Sequence, residues 1–299
     1  MKFGIVSDSS CDLVERYTEE EKVSIVPFYV SFDGEHYLKE GKEAKITDFY
    51  QKMADNPDCY PKTSMPSVQD YMEVFRPFAE QGLPVLCICL TQTFSGSMQA
   101  AVNAKAELEE EFPEARIEIL DSQLVTGLQG LLVKEAVGLR NAEAELDEAL
   151  EKLKEIRSTG HIFFTTKDLK YLEHGGRIGK AACLAGSMLN IKPILHFCDA
   201  ELGSTELCRG KKSLHKIIEK FLAYVESNKI SLEDYNLITG EGLAVEEYQI
   251  FKDELKSALW EHGCKMESWE EIQIGATIGV HTGPYPLGVG ILKKCKREN

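Results

Sequence analysis

The sequence predicts an α/β fold in two parts, residues 1–158 and residues 159–299. Short apolar runs are repeatedly followed by a polar turn and an amphipathic segment, the pattern of strand–turn–helix units around a mostly parallel sheet. This order becomes less regular after residue 162, so a second domain is expected to begin near the polar stretch 158–160. A chain of 299 residues, 43% of them hydrophobic, is long enough for one large domain or two of ordinary size.

The elements of the first part follow from apolar runs and turn residues. Strands are predicted at 3–6, 23–30, 85–90 and 117–120. Helices are predicted near 47–50 and at 98–112, 125–139 and 146–157. Thr47 and Asp48 suit the N-cap region of the first helix. Pro61 and Pro66 predict a loop over 60–67, because proline fixes the backbone and ends regular structure.

The elements of the second part are predicted in the same way. Strands are expected at 162–164, 192–197, 236–239 and 271–280, the last running into a turn at 281–284. Helices are expected at 181–189, which is rich in small residues, and at 213–225. The two glycines at 175 and 176 predict a turn before Arg177.

Composition excludes several classes of protein. The net charge of −15 argues against nucleic acid as a partner and against loose adsorption to anionic lipid surfaces. No apolar run approaches the roughly 20 residues of a membrane span, and nothing at the N-terminus resembles a secretory signal. The nine cysteines are scattered, without CxxC or zinc-like spacing, so we expect free thiols, no metal site and a cytoplasmic location.

Ser95 and Gly96 form part of a polar turn between a predicted strand and a predicted helix. The first N–H groups of a helix are unpaired and its dipole is positive there, so the turn can bind an anion. Ser95 adds a hydroxyl, and Gly96 lets a ligand approach the backbone. The alternative is an ordinary helix cap, which serine also provides.

Two further segments offer polar groups. Thr63 and Ser64 place hydroxyls in the proline-bounded loop, and the alternative there is a plain surface turn. His281 and Thr282 follow a predicted strand and precede Gly283, although a lone histidine is more often structural than functional.

Arg177 and Arg209 are the candidate contacts for a phosphate or a partner protein. Arg177 follows the glycine turn and could pair with a phosphate or carboxylate. Arg209 begins a small basic cluster over 209–212, with Lys216 nearby, in an otherwise acidic chain. The alternative for both is a solvated surface charge.

No motif of a nucleotide-binding loop, a serine-hydrolase elbow or a zinc protease is present. The candidate site instead consists of hydroxyls and backbone amides, which suit holding a carboxylate more than attacking a bond. One rival is a hydrolase or acyltransferase with Ser95 as nucleophile and His281 as base, but no acid that would orient the imidazole is identifiable. A second rival is a sugar-phosphate or nucleotide enzyme built on the α/β sheet.

Ordered motifs along nearly the whole chain carry a family resemblance. They are VSDSSCDL at 6–13, TSMPS at 63–67, FSGS at 94–97, DS at 121–122, DLKYLEHGGRI at 168–178, NIKPIL at 190–195, HTGP at 281–284 and LG at 287–288. Together they resemble the DegV family, the fatty-acid-binding proteins of the FakB type.

The resemblance implies two α/β domains, the second with a mixed sheet, and one long-chain fatty acid between them. Its chain would be buried in the C-terminal domain. The Thr63 and Ser95 hydroxyls would hold the carboxylate, helped by amides near Ser95 and Gly96, with His281 and Thr282 close by.

The resemblance also implies a binding protein without catalytic residues or a cofactor. A separate ATP-dependent fatty acid kinase would phosphorylate the bound carboxylate to an acyl-phosphate. Arg177 and Arg209 would then handle phosphate or dock the kinase, and transient membrane contact would allow lipid exchange.

Two positions depart from the family pattern. Met65 stands where a polar glutamine is common, which predicts different contacts to the head group. Tyr285 and Pro286 replace residues that are usually small, which predicts a reshaped entrance.

Overall fold

The computed structural model describes residues 1–184, 191–210 and 212–296. The strands are β1 (Gly4–Asp8), β2 (Val23–Val26), β3 (Tyr29–Ser31), β4 (Leu38–Lys39), β5 (Lys62–Ser64), β6 (Val85–Cys89), β7 (Ile117–Asp121), β8 (His161–Thr165), β9 (Ile191–Cys198), β10 (Glu201–Arg209), β11 (Tyr235–Glu241), β12 (Glu270–Gln273) and β13 (Leu287–Lys293). The helices are α1 (Glu15–Glu20), α2 (Ile46–Asp55), α3 (Val68–Glu80), α4 (Ser97–Glu111), α5 (Thr126–Asn141), α6 (Leu146–Arg157), α7 (Lys170–His174), α8 (Lys212–Ser227), α9 (Val245–Glu261) and α10 (Ala276–Thr282). These elements confirm the predicted α/β fold class.

The first sheet is parallel, with strand order β2-β1-β6-β7. Successive side chains of a strand point to opposite faces, and both faces are covered. Leu86 and Ile88 pack with helices α5 and α6, whereas Cys87 and Cys89 pack with α3 and α4. The two cysteines are therefore small core residues of a strand.

The second sheet is mixed, with strand order β10-β9-β8-β13-β11-β12. Only the β11–β12 pair is parallel among the strand pairs described for it. Phe163 and Val289 face helices α8 and α9 on one side. The other side faces the first sheet, and Ile238 and Leu292 share a core with α5 and α6. A small third sheet, β4-β3-β5, pairs Val30 with Thr63.

The predicted strand 23–30 is wrong as a single element. It is two strands, β2 and β3, which belong to different sheets. Pro27 separates them because it cannot donate a ladder hydrogen bond. The predicted loop 60–67 contains β5, and α2 starts at Ile46 after Lys45, so Thr47 and Asp48 lie inside its first turn.

The predicted strand 271–280 is also wrong in its second half. It ends at Gln273, and helix α10 follows. The predicted helix 181–189 begins as a 3₁₀ turn at Gly179–Leu184, and its remainder lies outside the described residues. Sequence reasoning missed α3, α7, α9, β10 and β13, although Ser67 and Asp70 form a capping box that marks the start of α3.

The division between the domains stays a prediction. Residues 158–160 connect helix α6, which covers the first sheet, to β8 in the second sheet. Across the described part of the chain, no helix has both the length and the apolar character that crossing a bilayer requires.

Candidate ligand-binding site

A cavity of about 200 Å³ lies between the two sheets. The first part of the chain contributes residues after β6 and β7 and at the start of α5, and the second part contributes one face of the mixed sheet and α10. The apolar lining includes Leu90, Val125, Leu128, Ile162, Phe164, Phe197, Ile238, Ile272 and Ile278. Both parts of the chain thus form the wall, whereas the family resemblance implied the second part alone.

Particular residues keep this space unfilled. Ile162 and Phe164 of β8 are half-buried although they point into the molecule, because they face the cavity. Their partners across the ladder, Gly290 and Gly288, carry no side chains that could fill it. A Cβ atom at Gly127, in contrast, would lie 2.5 Å from Ile238 Cδ1, so glycine is needed where α5 approaches the sheet.

Six residues singled out from the sequence line the cavity and come from four separate segments: Thr63, Ser95, Gly96, Arg177, His281 and Thr282. Three further threonines also line it: Thr126, Thr239 and Thr277. The structure thus brings together most of the residues singled out from the sequence. Ser64 does not line the cavity: its side chain is exposed and its hydroxyl lies 3.4 Å from the Met65 carbonyl.

His281 and Thr63 form one hydrogen-bonded pair at this polar end. The distance from Thr63 Oγ1 to His281 Nε2 is 3.0 Å. Burial, with a contribution from the Arg177 charge, lowers the pKa of His281 to about 4, so the ring is neutral at pH 7. When Nε2–H donates to Thr63, the Thr63 hydroxyl keeps its own proton for a ligand. His281 Nδ1 has no partner in the described residues, and a Cβ at Gly175 would lie 2.2 Å from it.

Ser95 lines the cavity and also accepts a hydrogen bond at the start of α4. Its Oγ accepts a hydrogen bond from the Ser97 N–H at 3.1 Å, as in a helix cap, which leaves the hydroxyl proton for another acceptor. Gly96 is the N-cap residue of α4. A Cβ there would lie 2.7 Å from Met65 Sδ, so the Thr63 and Ser95 segments meet at Gly96.

Arg177 connects two of these segments. Its Nε donates to the Phe94 carbonyl at 3.1 Å and its Nη1 donates to the Gly175 carbonyl at 2.5 Å. It lies in the cavity lining, so a cation is present near the neutral donors. Arg209 is the last residue of β10, and its side chain lies outside the part of the chain that the structure describes, as does Lys211.

A buried carboxylate lies beneath the Ser95 turn. Asp8 accepts hydrogen bonds from Leu90 N–H at 3.0 Å and Ser97 Oγ at 2.8 Å through Oδ2. It accepts from Ser10 Oγ at 2.6 Å and Gln129 Nε2 at 2.9 Å through Oδ1. Asp8 thereby ties β1, β6, α4 and α5 together and fixes the start of α4.

Two more acidic side chains lie at the start of α10, and one of them, Glu40, is hydrogen-bonded to it. Glu40 accepts from the N–H of Thr277 at 2.7 Å and from its hydroxyl at 2.8 Å. Asp12 accepts from Thr126 Oγ1, and its buried Oδ1 has no partner in the described residues. A Cβ at Gly275 would lie 2.3 Å from Asp12 Oδ1 and 2.8 Å from Glu40 Oε1, so only glycine fits there. Carboxylates stabilise a helix N-terminus, which explains why this segment is helical.

Asp12→Asn is expected to stabilise the protein at pH 8 by roughly 1–2 kcal/mol and to have less effect at pH 5. Burial, followed by the Glu40 charge, raises the pKa of Asp12 well above its usual value. The folded state then retains a proton that the unfolded state loses, so the contribution of Asp12 to stability falls as pH rises above about 4. Urea unfolding at both pH values measures this difference.

The exposed Asp58 provides the control, and Asp58→Asn is expected to leave the pH dependence unchanged. An equal effect of Asp12→Asn at pH 5 and pH 8 would contradict the assignment of a raised pKa to this carboxyl.

The sequence analysis did not identify three residues whose hydrogen bonds stabilise the segments around the cavity: Glu40, Asp12 and Gln129. Asp12 belongs to the motif at 6–13, which offered a signal, whereas Glu40 and Gln129 carried none because their partners are distant in sequence.

The geometry does not favour the hydrolase alternative. His281 Nε2 is hydrogen-bonded to Thr63, and His281 Nδ1 has no partner in the described residues. These residues therefore supply no carboxylate that orients the imidazole ring.

Comparisons with known proteins were made with the whole chain. The profile of a family described as uncharacterised proteins of the DegV family matches residues 2–294. A DegV domain-containing protein from Listeria monocytogenes is 33% identical over 289 residues, covering 96% of this chain and 97% of the relative.

Solved structures show the same similarity. A protein from Eubacterium ventriosum described as stearic-acid-binding has a TM-score of 0.92 and 39% identity, and the match covers 98% of each chain. A DegV family protein from Thermus thermophilus, described by its fatty acid binding, has a TM-score of 0.85 and 26% identity and covers 98% of this chain and 100% of its own.

Proposed function

This chain belongs to the DegV family, and from that premise we propose that it binds one long-chain fatty acid in the cavity between its sheets. The acyl chain would lie against the apolar wall, and the carboxylate would lie among Thr63, Ser95 and His281. The observation that carries this proposal is a cavity whose wall is largely apolar and whose lining includes the hydrogen-bonded pair Thr63 and His281 together with Ser95. The relatives described as fatty-acid-binding support it.

The free energies permit tight binding. Burying a methylene group stabilises by about 0.8 kcal/mol, so about fifteen of them contribute roughly 12 kcal/mol. Loss of translational freedom and ordering of the chain cost at least about 4 kcal/mol. The carboxylate is costly to bury unpaired, and hydroxyl and amide donors offset that cost.

Bound lipid can be identified directly. The purified protein is denatured and extracted, and the released acids are identified and counted by mass spectrometry. We expect about one long-chain acid per chain after expression or after loading with stearate. Absence of any retained acid under both conditions would refute the proposal.

Thr63→Ala and Ser95→Ala are each expected to weaken fatty acid binding by about 10- to 100-fold, because a hydrogen bond to a charged group contributes about 1.5–3 kcal/mol. The thermal unfolding midpoint should change little, since both side chains are only partly buried. Displacement of a fluorescent fatty acid measures the affinity.

Ser64→Ala is the matched control, because that hydroxyl is adjacent in sequence but lies outside the cavity lining. Its affinity should equal that of the parent. If all three variants bound the lipid as the parent does, the carboxylate would not lie at this end.

We further propose that the protein is not itself an enzyme. A hydrolase with Ser95 as nucleophile is the second candidate, since the serine and His281 line one cavity. Covalent labelling of Ser95 by a fluorophosphonate, or esterase turnover lost in Ser95→Ala, would favour that candidate.

A separate ATP-dependent fatty acid kinase is the proposed partner. Arg177 lines the same cavity as Thr63 and His281, and a guanidinium there would contact a phosphoryl group formed on the carboxylate. The basic cluster that begins at Arg209 is the proposed docking surface. Arg209→Glu should then lower kinase-dependent acyl-phosphate formation, trapped with hydroxylamine, without changing lipid retention.

We also propose how the protein obtains its lipid and where it acts. Transient contact with a membrane would deliver the lipid, and transfer from labelled vesicles tests it. We propose a cytoplasmic location, because the nine cysteines are scattered along the sequence without the spacing of a disulfide framework.

A further inference from the structure

Two histidines and a cysteine gather on the face of the second sheet that is turned away from the cavity. The ladder pairs Phe163 of β8 with His196 of β9. Because side chains alternate along a strand, His161 and Cys198 lie beside them on the same face. Ile162 and Phe197, which lie between these positions, line the cavity on the opposite face.

The possible ligand atoms of the three side chains lie close together, and His161 and Cys198 approach different nitrogens of the His196 ring. His161 Nδ1 lies 3.1 Å from His196 Nε2, and Cys198 Sγ lies 3.9 Å from His196 Nδ1. One ligand atom can be chosen from each residue so that all lie within 4.8 Å of one another. Ligand atoms of a tetrahedral zinc site are about 3.3–3.7 Å apart, given bonds of about 2.0 Å to nitrogen and about 2.3 Å to sulfur. The longest separation must therefore shorten by about 1 Å, which rotation of the Cys198 side chain can supply.

The surroundings orient these groups. Tyr224 Oη lies 2.6 Å from His161 Nε2, which fixes that ring and leaves its Nδ1 directed at His196. Phe163 stacks on the His196 ring at 4.1 Å between centroids and 12° between planes. A hydrogen bond to the second nitrogen of a ligand histidine is a regular feature of metal sites.

Access and charge are also suitable for a cation. His161, His196 and Cys198 are each half-buried, so an ion can reach them from solvent. Asp199, which is exposed, acts electrostatically on all three side chains and provides negative charge beside them.

The same side chains could also form a chain of hydrogen bonds without an ion. Tyr224 would donate to His161, His161 to His196, and His196 to the sulfur, with each ring in one neutral tautomer. That arrangement needs no cysteine at the end, because sulfur is a weak acceptor. A thiol beside two imidazoles is instead the ligand set that zinc and other thiophilic ions prefer.

We propose that His161, His196 and Cys198 bind a thiophilic transition-metal ion, with zinc(II) as the expected ion and water or Asp199 as the fourth ligand. The spacing in sequence gave no sign of this site, because the three residues are brought together by the ladder between β8 and β9. The site is separate from the lipid cavity and does not depend on the proposed function.

Cobalt(II) titration of the full-length, chelator-treated protein tests the proposal. At one equivalent we expect the visible bands of a tetrahedral ion and a thiolate-to-cobalt absorption in the near ultraviolet, both bleached by zinc(II). Cys198→Ser and His196→Gln should lower the affinity at least about 100-fold, and Tyr224→Phe, which removes only the orienting hydrogen bond, about 10-fold.

Cys264→Ser is the matched control, since this half-buried thiol lies at the end of α9 and should leave the spectrum unchanged. Circular dichroism and extracted lipid are measured for every variant, so loss of folding or of lipid binding is distinguished from loss of the metal. A parent protein without the thiolate absorption, or a Cys198→Ser variant that retains it, overturns the proposal.

Discussion

Ile278→Trp is expected to lower the affinity for a fatty acid of about eighteen carbons by about 200-fold, because displacing about four methylene groups costs about 3 kcal/mol. Ile278 lies on α10, lines the cavity and is half-buried, so a larger side chain there occupies space that the acyl chain would use. Because Ile278 lies one helical turn before His281, an acid of about ten carbons should lose affinity as well.

Ile250→Trp is the matched control for this change. Ile250 lies on α9 and is 40% exposed, so the same substitution there adds an indole outside the cavity. Affinities for the two acids are measured by displacement of a fluorescent fatty acid. If Ile278→Trp weakened the binding of neither acid, the acyl chain would not lie against this part of the wall.

Asp8→Ala is expected to destabilise the protein by about 3–5 kcal/mol, the range for breaking a buried, hydrogen-bonded charged network. The substitution would remove the acceptor shared by four donors: Leu90 N–H, the hydroxyls of Ser10 and Ser97, and the Gln129 amide. Three of these donors have a second partner, at 2.9 Å for Ser10, 2.6 Å for Ser97 and 3.1 Å for Gln129, which offsets part of the loss. Each unsatisfied buried donor costs about 1–3 kcal/mol before the surroundings adjust. Urea unfolding at pH 7 measures the loss.

Asp8→Asn should be milder, because it keeps one acceptor oxygen for these donors. The exposed Asp58 again provides the control, and Asp58→Ala should lie within about 0.5 kcal/mol of the parent. Fatty acid affinity should also fall in Asp8→Ala under conditions where it remains folded, since Ser97 adjoins the Ser95 turn. Unchanged stability would contradict the role given to this carboxylate.

The parallel sheet was predictable because its strands are buried on both faces. The run at 85–90 and the alanine-rich helix after it have patterns that few other structures produce. β6 ends one residue before the predicted strand, and α4 begins and ends one residue before the predicted helix. The elements of the second part of the chain were harder to predict from the sequence. The segment after Gly275 has the apolar composition of a strand, yet it is helical because Glu40, far away in sequence, binds the Thr277 N–H.

The sequence by itself determined the fold class, the family and most of the polar residues named here that line the cavity, because these depend on local periodicity, turn residues and ordered motifs. Only the tertiary structure decided that both parts of the chain line the cavity, that Ser64 lies outside its lining and that His281 is on a helix, beside Thr63. It also decided that His161 and His196 meet on the far side of the same sheet. The physical reason is that long-range packing and strand register set these contacts, and neither leaves a signal in neighbouring residues.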